Sequence, residues 1–249
     1  MNSDLHTEIR RGRLLFRPLI WSPNLFISEI YDSFQGEGPW AGTVSLFIRT
    51  SGCNLRCWFC DTPYTSWDPQ GQQQSLDELA ERIAESQSPH VVITGGEPML
   101  APQLTELTDI CRREDKVITI ETAGTVDRAV ECDLLAISPK LGNSTPDDPQ
   151  WAARHEQTRH QPAVIESLFR RYTCILKFVI DTQDDIREVL EYMDTFPDLS
   201  ANDVWLMPQA RTAEELAQKT DWVLAAATVH GFQFSSRLHI AQFGNMRGV

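Results

Sequence analysis

"SGCNLRCWFC", residues 51–60, sets Cys53, Cys57 and Cys60 in a C-x3-C-x2-C spacing, with no fourth cysteine close by. Thiolates bind soft metals. Four of them would close a structural zinc site or complete the ligand set of an iron–sulfur cluster. Three in one loop, directly after a strand, can hold three irons of a 4Fe-4S cube and leave the fourth iron open to a small molecule. A zinc site completed by a distant ligand and a set of unligated thiols are the alternatives. Phe59, just before Cys60, can lay its ring and backbone beside a planar base.

Working outward, the chain alternates β-rich runs with helical stretches. Strands are predicted at "VSLFIRT" (44–50), "HVVITGG" (90–96), "KVITIET" (116–122), "DLLAISP" (133–139), "CILKFVI" (174–180) and "DVWLMPQ" (203–209). Most are near-continuous apolar runs, which suits parallel strands covered on both faces. "SLDELAERIAESQ" opens on a capping box of Ser75 and Glu78. "APQLTELTDICRRE" carries a proline near its first turn. "TQDDIREVLEYMDTF" and "TAEELAQKTDWVLAAATVHG" are amphipathic, the second ending at Gly231. Repeated βα units imply a parallel sheet with right-handed crossovers. The fold class is therefore α/β, with about six parallel strands in an open doubly wound sheet or a partial barrel. The polar stretch 143–172 is expected to hold one helix and a mobile loop. No linker divides the chain, so residues 1–27 read as an N-terminal extension and 28–249 as a single domain.

The totals bound what this fold can do. A chain of 249 residues, 41% hydrophobic, can bury a full core. Its net charge of -13 argues against non-specific nucleic-acid binding, and any anionic substrate must be met by locally placed cations. No run approaches the length of a membrane span, and the first residues do not read as a signal peptide. Six cysteines, three of them clustered, do not form a secreted disulfide framework, so a reducing cytoplasm is the expected setting. Cys111, Cys132 and Cys174 read as small buried apolar residues, and the six histidines form no ligand-spaced pair; His239 reads as a strand residue.

The C-x3-C-x-aromatic-C loop resembles the signature of radical S-adenosylmethionine enzymes. That resemblance implies a 4Fe-4S cluster on Cys53, Cys57 and Cys60, whose open iron chelates the amine and carboxylate of S-adenosylmethionine. One electron then cleaves the sulfonium to a 5′-deoxyadenosyl radical. It also implies a partial or full (β/α) barrel with the cluster at its mouth, which selects the partial barrel of radical SAM type. In such barrels chemistry gathers at the C-terminal ends of strands. "TGGEP" (94–98) resembles the element that binds the methionine amine, through Gly96 and Glu97. Ser138, Pro139 and Lys140 of "SPK", Gln209, and Phe59, Cys60 and Asp61 complete the implied S-adenosylmethionine site.

A narrower resemblance adds "FQGEGPWAG", "FIRTSGCNLRCWFCDT", "ETAGT", "ISPK" and the terminal "RGV". Together these resemble the 7-carboxy-7-deazaguanine synthase family from about residue 28 to the C-terminus. The implied reaction is a carbon–nitrogen lyase ring contraction in 7-deazapurine (queuosine-type) biosynthesis. 6-Carboxy-5,6,7,8-tetrahydropterin loses a hydrogen from C6, rearranges, regains hydrogen and loses ammonia to give 7-carboxy-7-deazaguanine. S-adenosylmethionine is regenerated, and no side chain is assigned a catalytic role because the cofactor carries the radical. Arg49 would pair two-toothed with the substrate carboxylate, and Gln35, Gly36, Glu37, Thr94, Glu121 and Val249 would hold the rest. Thr62 would bind a magnesium ion.

The resemblance further implies a homodimer and a flavodoxin or ferredoxin electron donor, met by a local basic patch for which Arg10, Arg11, Arg13 and Arg56 are candidates. Simpler readings stand beside each role: Arg49 could pair with a helix carboxylate, Thr62 could cap the next segment, and Val249 could be a frayed end. Two other functions compete. A different radical S-adenosylmethionine enzyme, such as a glycyl-radical activase, would not need "QGEG", Arg49 or Thr62. A non-enzymatic iron–sulfur carrier or zinc-stabilised module would normally close its metal site with a fourth ligand.

Overall fold

The structure, a computed structural model, describes residues 24–249. Nine strands form one open sheet in the order β3-β1-β2-β4-β5-β6-β7-β8-β9. Six of them match the strands read from the sequence: β2 (Val44–Thr50), β4 (His90–Gly95), β5 (Val117–Thr122), β6 (Leu134–Ile137), β7 (Cys174–Ile180) and β8 (Val204–Pro208). These six, joined by the short β9 (Gln233–Phe234), run parallel. The array is a partial (β/α) barrel. Three strands went unforeseen: β9 and two at the other edge of the sheet. β1 (Asn24–Phe34) pairs antiparallel with β2, and β3 (Gln72–Ser75) pairs antiparallel with β1, so β1 begins inside the segment read as an extension.

Side-chain parity decides what each strand does. Successive strand residues point to opposite faces. Leu46, Ile48, Val91, Ile93, Ile118, Ile120, Leu135, Ile137, Leu176 and Phe178 enter one apolar core. On the other parity Phe47, Arg49, Thr94, Glu121, Ala136, Lys177, Val179 and Met207 line a cleft. Arg49, Thr94, Glu121 and Lys177 thus interrupt the apolar runs on the face that borders the cleft.

Helices cover the core face. α1 (Pro63–Ser66) is a single turn after the cysteine loop. α2 (Leu76–Glu85) starts on the expected capping box: the Ser75 hydroxyl accepts from the Glu78 amide and the Glu78 carboxylate from the Ser75 amide. α3 (Leu104–Arg113) buries Leu104 and Leu107 against the sheet. The segment 143–172 corrects the sequence reading. It contains two helices, α4 (Pro149–Arg159) and α5 (Pro162–Arg171), in place of one helix and a mobile loop. Each begins on a proline in its first turn, where the missing N–H costs no hydrogen bond, and Asp148 caps α4. α6 (Gln183–Asp194) and α7 (Ala213–His230) follow, and Gly231 ends α7 with a φ of 71°. His239 lies on the short α8 (Leu238–Phe243), not on a strand.

The "TGG" turn after β4 is wedged under the residues that lead into the cysteine loop. The Gly96 amide donates to the Thr50 carbonyl at 3.1 Å and the Glu97 amide to the Gly52 carbonyl at 2.9 Å. Gly95 has a φ of 124°, and a Cβ there would stand 2.1 Å from the Thr50 oxygen. Gly95→Ala combines left-handed strain with a backbone clash. It should destabilise the chain by roughly 1–3 kcal/mol, read as a lower urea midpoint at unchanged m-value.

Candidate functional site

A cleft of about 230 Å³ opens at the C-terminal ends of the parallel strands. It is lined by Cys53, Cys57, Phe59, Cys60, Asp61 and Thr62 from the loop after β2. Gln35, Gly36, Glu37, Arg49, Thr94, Gly96, Glu121, Ser138, Lys140, Gln209 and Val249 border the same space. Residues scattered over more than two hundred positions thus share one cavity because strand ends converge there. Two of the expected S-adenosylmethionine contacts, Glu97 and Pro139, are not among the residues that border the cleft, and Glu97 is buried. The Glu97 carboxylate accepts from the Met99 amide, the Thr122 hydroxyl and the Ala123 amide, which ties the end of β4 to the end of β5.

The cysteine loop forms a cradle around its three thiols. Leu55, Cys57 and Phe59 are buried, and Cys53, Cys60, Ala123 and Val179 pack around them. Burial pushes the Cys53 thiol up to about 11 and the Cys57 thiol up to about 12, and raises that of Cys60. Without metal these thiols keep their protons, so metal loading must release them. Three soft ligands on one loop, in an apolar pocket open on one side to the cleft, fit a cluster that leaves an iron free. Thr62 faces the same cleft, and its hydroxyl accepts from Thr65 at 3.2 Å.

Opposite the loop stands a wall of buried charge. The Glu37 carboxylate accepts from Lys177 Nζ and, at 3.0 Å, from Arg237 Nε. Arg237 also donates to the Asp61 carboxylate and the Ala210 carbonyl. Burial alone would push Glu37 up, but Lys177 and Arg237 outweigh it and hold the group well below the usual carboxylate range. The same contest, won by Arg237, lowers Asp61. His239 Nε2 lies 3.8 Å from Glu37, and burial keeps the ring neutral to lower pH than usual. Ligand atoms of Glu37, Asp61 and His239 lie within 4.8 Å of one another. Two cations already neutralise these carboxylates, so the set is an ion-pair network and not a cation site.

A second network fixes the floor. Glu121 accepts from Gln35 Nε2 at 3.1 Å and from the Thr94 hydroxyl at 2.7 Å, and the Glu37 amide donates to Gln35 Oε1 at 3.1 Å. Arg49 donates through Nε to Glu29 at 2.9 Å and through Nη2 to Tyr31 at 2.7 Å. Its carboxylate partner comes from β1 and not from a helix. Burial works against its charge, and the facing Tyr31 and Tyr64 rings' hydroxyls more than restore it. The end-on fork of the guanidinium, Nη1 with the second proton of Nη2, remains for an anion. Lys140 folds back onto the Ser138 carbonyl and hydroxyl at 2.7 Å each.

Sequence reasoning missed Lys177, Arg237 and His239. Lys177 carried a signal, being a lone charge inside the apolar strand "CILKFVI". Arg237 and His239 carried none, since their importance comes from α8 folding back over the residues before β2. Arg10, Arg11 and Arg13 lie outside the described residues.

The loop is also braced from behind. The Arg56 amide donates to His155 Nδ1 at 3.2 Å, so Nε2 holds the proton and faces the Ser144 hydroxyl at 2.8 Å. The Ser144 hydroxyl passes its own proton to the Leu141 carbonyl. Burial depresses His155 to about 4. The unfolded chain gains a proton below about pH 6.5 that the native chain refuses until about pH 4, so stability is full above this window and falls through it. His155→Gln should flatten the fall in Tm between about pH 7 and pH 5. Removing a cation from Glu37 tests the other wall. Lys177→Met leaves a buried carboxylate half-neutralised and should cost roughly 3–5 kcal/mol in urea unfolding, most of it recovered by adding Glu37→Gln.

With this geometry in place, comparison with known proteins narrows its meaning. Residues 47–144 match the Radical SAM superfamily. A 7-carboxy-7-deazaguanine synthase from Rhodopirellula baltica is 44% identical, over 91% of this chain and 89% of the relative. One from Halobacterium salinarum is 42% identical, over 88% of this chain and 90% of the relative. The crystal structure of QueE from Escherichia coli superposes with a TM-score of 0.66 at 23% identity, covering 87% of this chain and 95% of that one, a likeness of fold. The chain therefore belongs to the 7-carboxy-7-deazaguanine synthase family of radical S-adenosylmethionine enzymes.

Proposed function

We propose that this lyase contracts 6-carboxy-5,6,7,8-tetrahydropterin to 7-carboxy-7-deazaguanine with loss of ammonia, for queuosine-type 7-deazapurine synthesis. Family membership supports the reaction class. The observation that carries it in this chain is a single cleft with a three-thiol loop on one side and a polar, charge-paired wall on the other. When bound, the cluster and S-adenosylmethionine supply the radical; the protein supplies placement.

The side chains divide that work. Arg49 offers its end-on fork to the substrate carboxylate, pre-aimed by Glu29 and Tyr31. Gln35, Glu37, Thr94 and Glu121 present acceptors and donors to the guanine-like edge. Because Lys177 and Arg237 keep Glu37 ionised, it can only accept, which selects N–H groups on the ligand. Gly36 allows close approach of backbone: a Cβ there would fall 2.1 Å from the His239 ring. Thr62 is the proposed magnesium ligand, one hard oxygen among waters and substrate oxygens. Phe59, Cys60, Asp61, Gly96, Ser138, Lys140 and Gln209 would hold S-adenosylmethionine, with Glu97 and Pro139 shaping the turns behind it. Val249 lines the cleft, the position from which its carboxylate would contact the substrate. Reacting carbon and target C–H then need only a near-attack arrangement inside one rigid cavity.

A flavodoxin or ferredoxin is the proposed electron source, and a homodimer the proposed assembly. No described helix is long and apolar enough to cross a membrane. An anaerobic assay with reconstituted protein, the carboxytetrahydropterin, S-adenosylmethionine, magnesium and dithionite should give 7-carboxy-7-deazaguanine with S-adenosylmethionine regenerated. Formation of 5′-deoxyadenosine in step with turnover, without the deazaguanine, would sink the reading. Arg49→Lys keeps the charge but loses the fork, and should raise KM for the pterin roughly 10- to 100-fold.

A further inference from the structure

The outer surface of the cysteine loop carries a feature that substrate binding does not use. Arg56 lies over the Trp151 ring of α4 at 4.4 Å, and Arg154 lies over the same ring at 5.5 Å. Trp67 meets Trp151 edge-on at 6.4 Å. Trp58 and Trp67 are 42% and 38% exposed. Among the described residues neither guanidinium pairs with a carboxylate. Asp148 caps α4, and Glu156 pairs with Arg159. Two like charges sharing one indole are left uncompensated in a chain of net charge -13. Such a pair repels itself and gains from an anionic surface.

This patch sits directly on the backbone of the ligand loop. Arg56 Nη1 donates to the Cys53 carbonyl at 2.8 Å and the Leu55 carbonyl at 2.7 Å. The Trp67 indole donates to the Cys57 carbonyl at 3.0 Å. A partner seated here would bear on the side chains that hold the Cys53, Leu55 and Cys57 carbonyls.

We propose that Arg56 and Arg154, stacked on Trp151 and rimmed by Trp58 and Trp67, are the docking face for an acidic one-electron carrier protein. The inference rests on the ring-contraction reading, which requires an external electron. The carrier would give up one electron to the cluster that Cys53, Cys57 and Cys60 would hold; no bond is made or broken in the docking step. Charge complementarity identifies the occupant, and the exposed indoles supply the apolar contact that a brief encounter needs.

The test uses reconstituted protein titrated with flavodoxin, and separately with ferredoxin, by calorimetry at two salt concentrations. Binding should weaken with salt, and Arg154→Glu should raise Kd by about tenfold or more, whereas Arg154→Lys should restore it. Arg154 does not line the cleft, so dithionite-driven turnover of Arg154→Glu should match the parent while carrier-driven turnover falls. Salt-independent or absent binding of both carriers would overturn the proposal. So would an Arg154→Glu Kd within about twofold of the parent, or equal loss of turnover with dithionite and carrier. If the parent makes no product even with dithionite, the ring-contraction reading fails, and the titration still decides the docking face.

Discussion

Glu37 is a buried carboxylate held between Lys177 and Arg237, and the rest of the site hangs on that arrangement. Glu37 belongs to the turn between β1 and β2, Lys177 to β7, Arg237 to the segment entering α8, and Asp61 to the cysteine loop. One chain of ion pairs therefore ties four distant parts of the sequence across the mouth of an open barrel. An open sheet has no closing strand to hold its edges together, and charge pairing performs that closure here. The desolvation cost of so many charges is offset only because each has a partner at hydrogen-bond distance. The pairing also leaves Glu37 and Asp61 ionised where they line the cleft.

The cysteine loop depends on a second, quieter constraint. Its interior is apolar, from Leu55, Cys57 and Phe59, whereas its backbone needs partners. Those partners come from both sides. The turn after β4 supplies amides to Thr50 and Gly52, and the stretch 143–155 supplies the Ser144 carbonyl to Trp58 and the His155 ring to Arg56. α4 is thus the outer wall of the ligand loop. It fixes the loop's shape from behind while the cleft is shaped from the front, and it places its own arginine and tryptophan where an approaching protein would meet them.

Much of this was legible in the residues. The apolar runs located six of the seven parallel strands, because a strand buried on both faces has little room for polar residues. Ser75 with Glu78, and Gly231 after α7, marked helix ends by local hydrogen-bond and backbone chemistry. The cysteine spacing, the "TGGEP" turn and "QGEG" pointed to one rim, and the cleft gathers all three. β1 was less visible: "NLFISEIYDSF" mixes polar and apolar residues because it lies toward the edge of the sheet, where only part of its surface is covered. One helix was expected in 143–172, and the second was hidden because α4, "PQWAARHEQTR", is dressed in Gln, Arg and His and differs little in composition from a loop.

By itself, then, the sequence determined the spacing of the three thiols, the α/β class and the family likeness, because these rest on short motifs and periodicity. Only the tertiary structure decided which charges meet. Lys177 looked like a flaw in an apolar strand, and Arg237 and His239 looked like ordinary residues near the end of the chain. Their roles come from contacts spanning 140 to 200 positions, Lys177 and Arg237 with Glu37, and no local pattern encodes such a contact. The same holds for Glu97, whose carboxylate folding ties to the Thr122 hydroxyl at the end of β5 and to the Ala123 amide just beyond it. Ion pairing in a buried site is a property of position in space, and position across an open barrel is fixed only when all of its strands have been laid down.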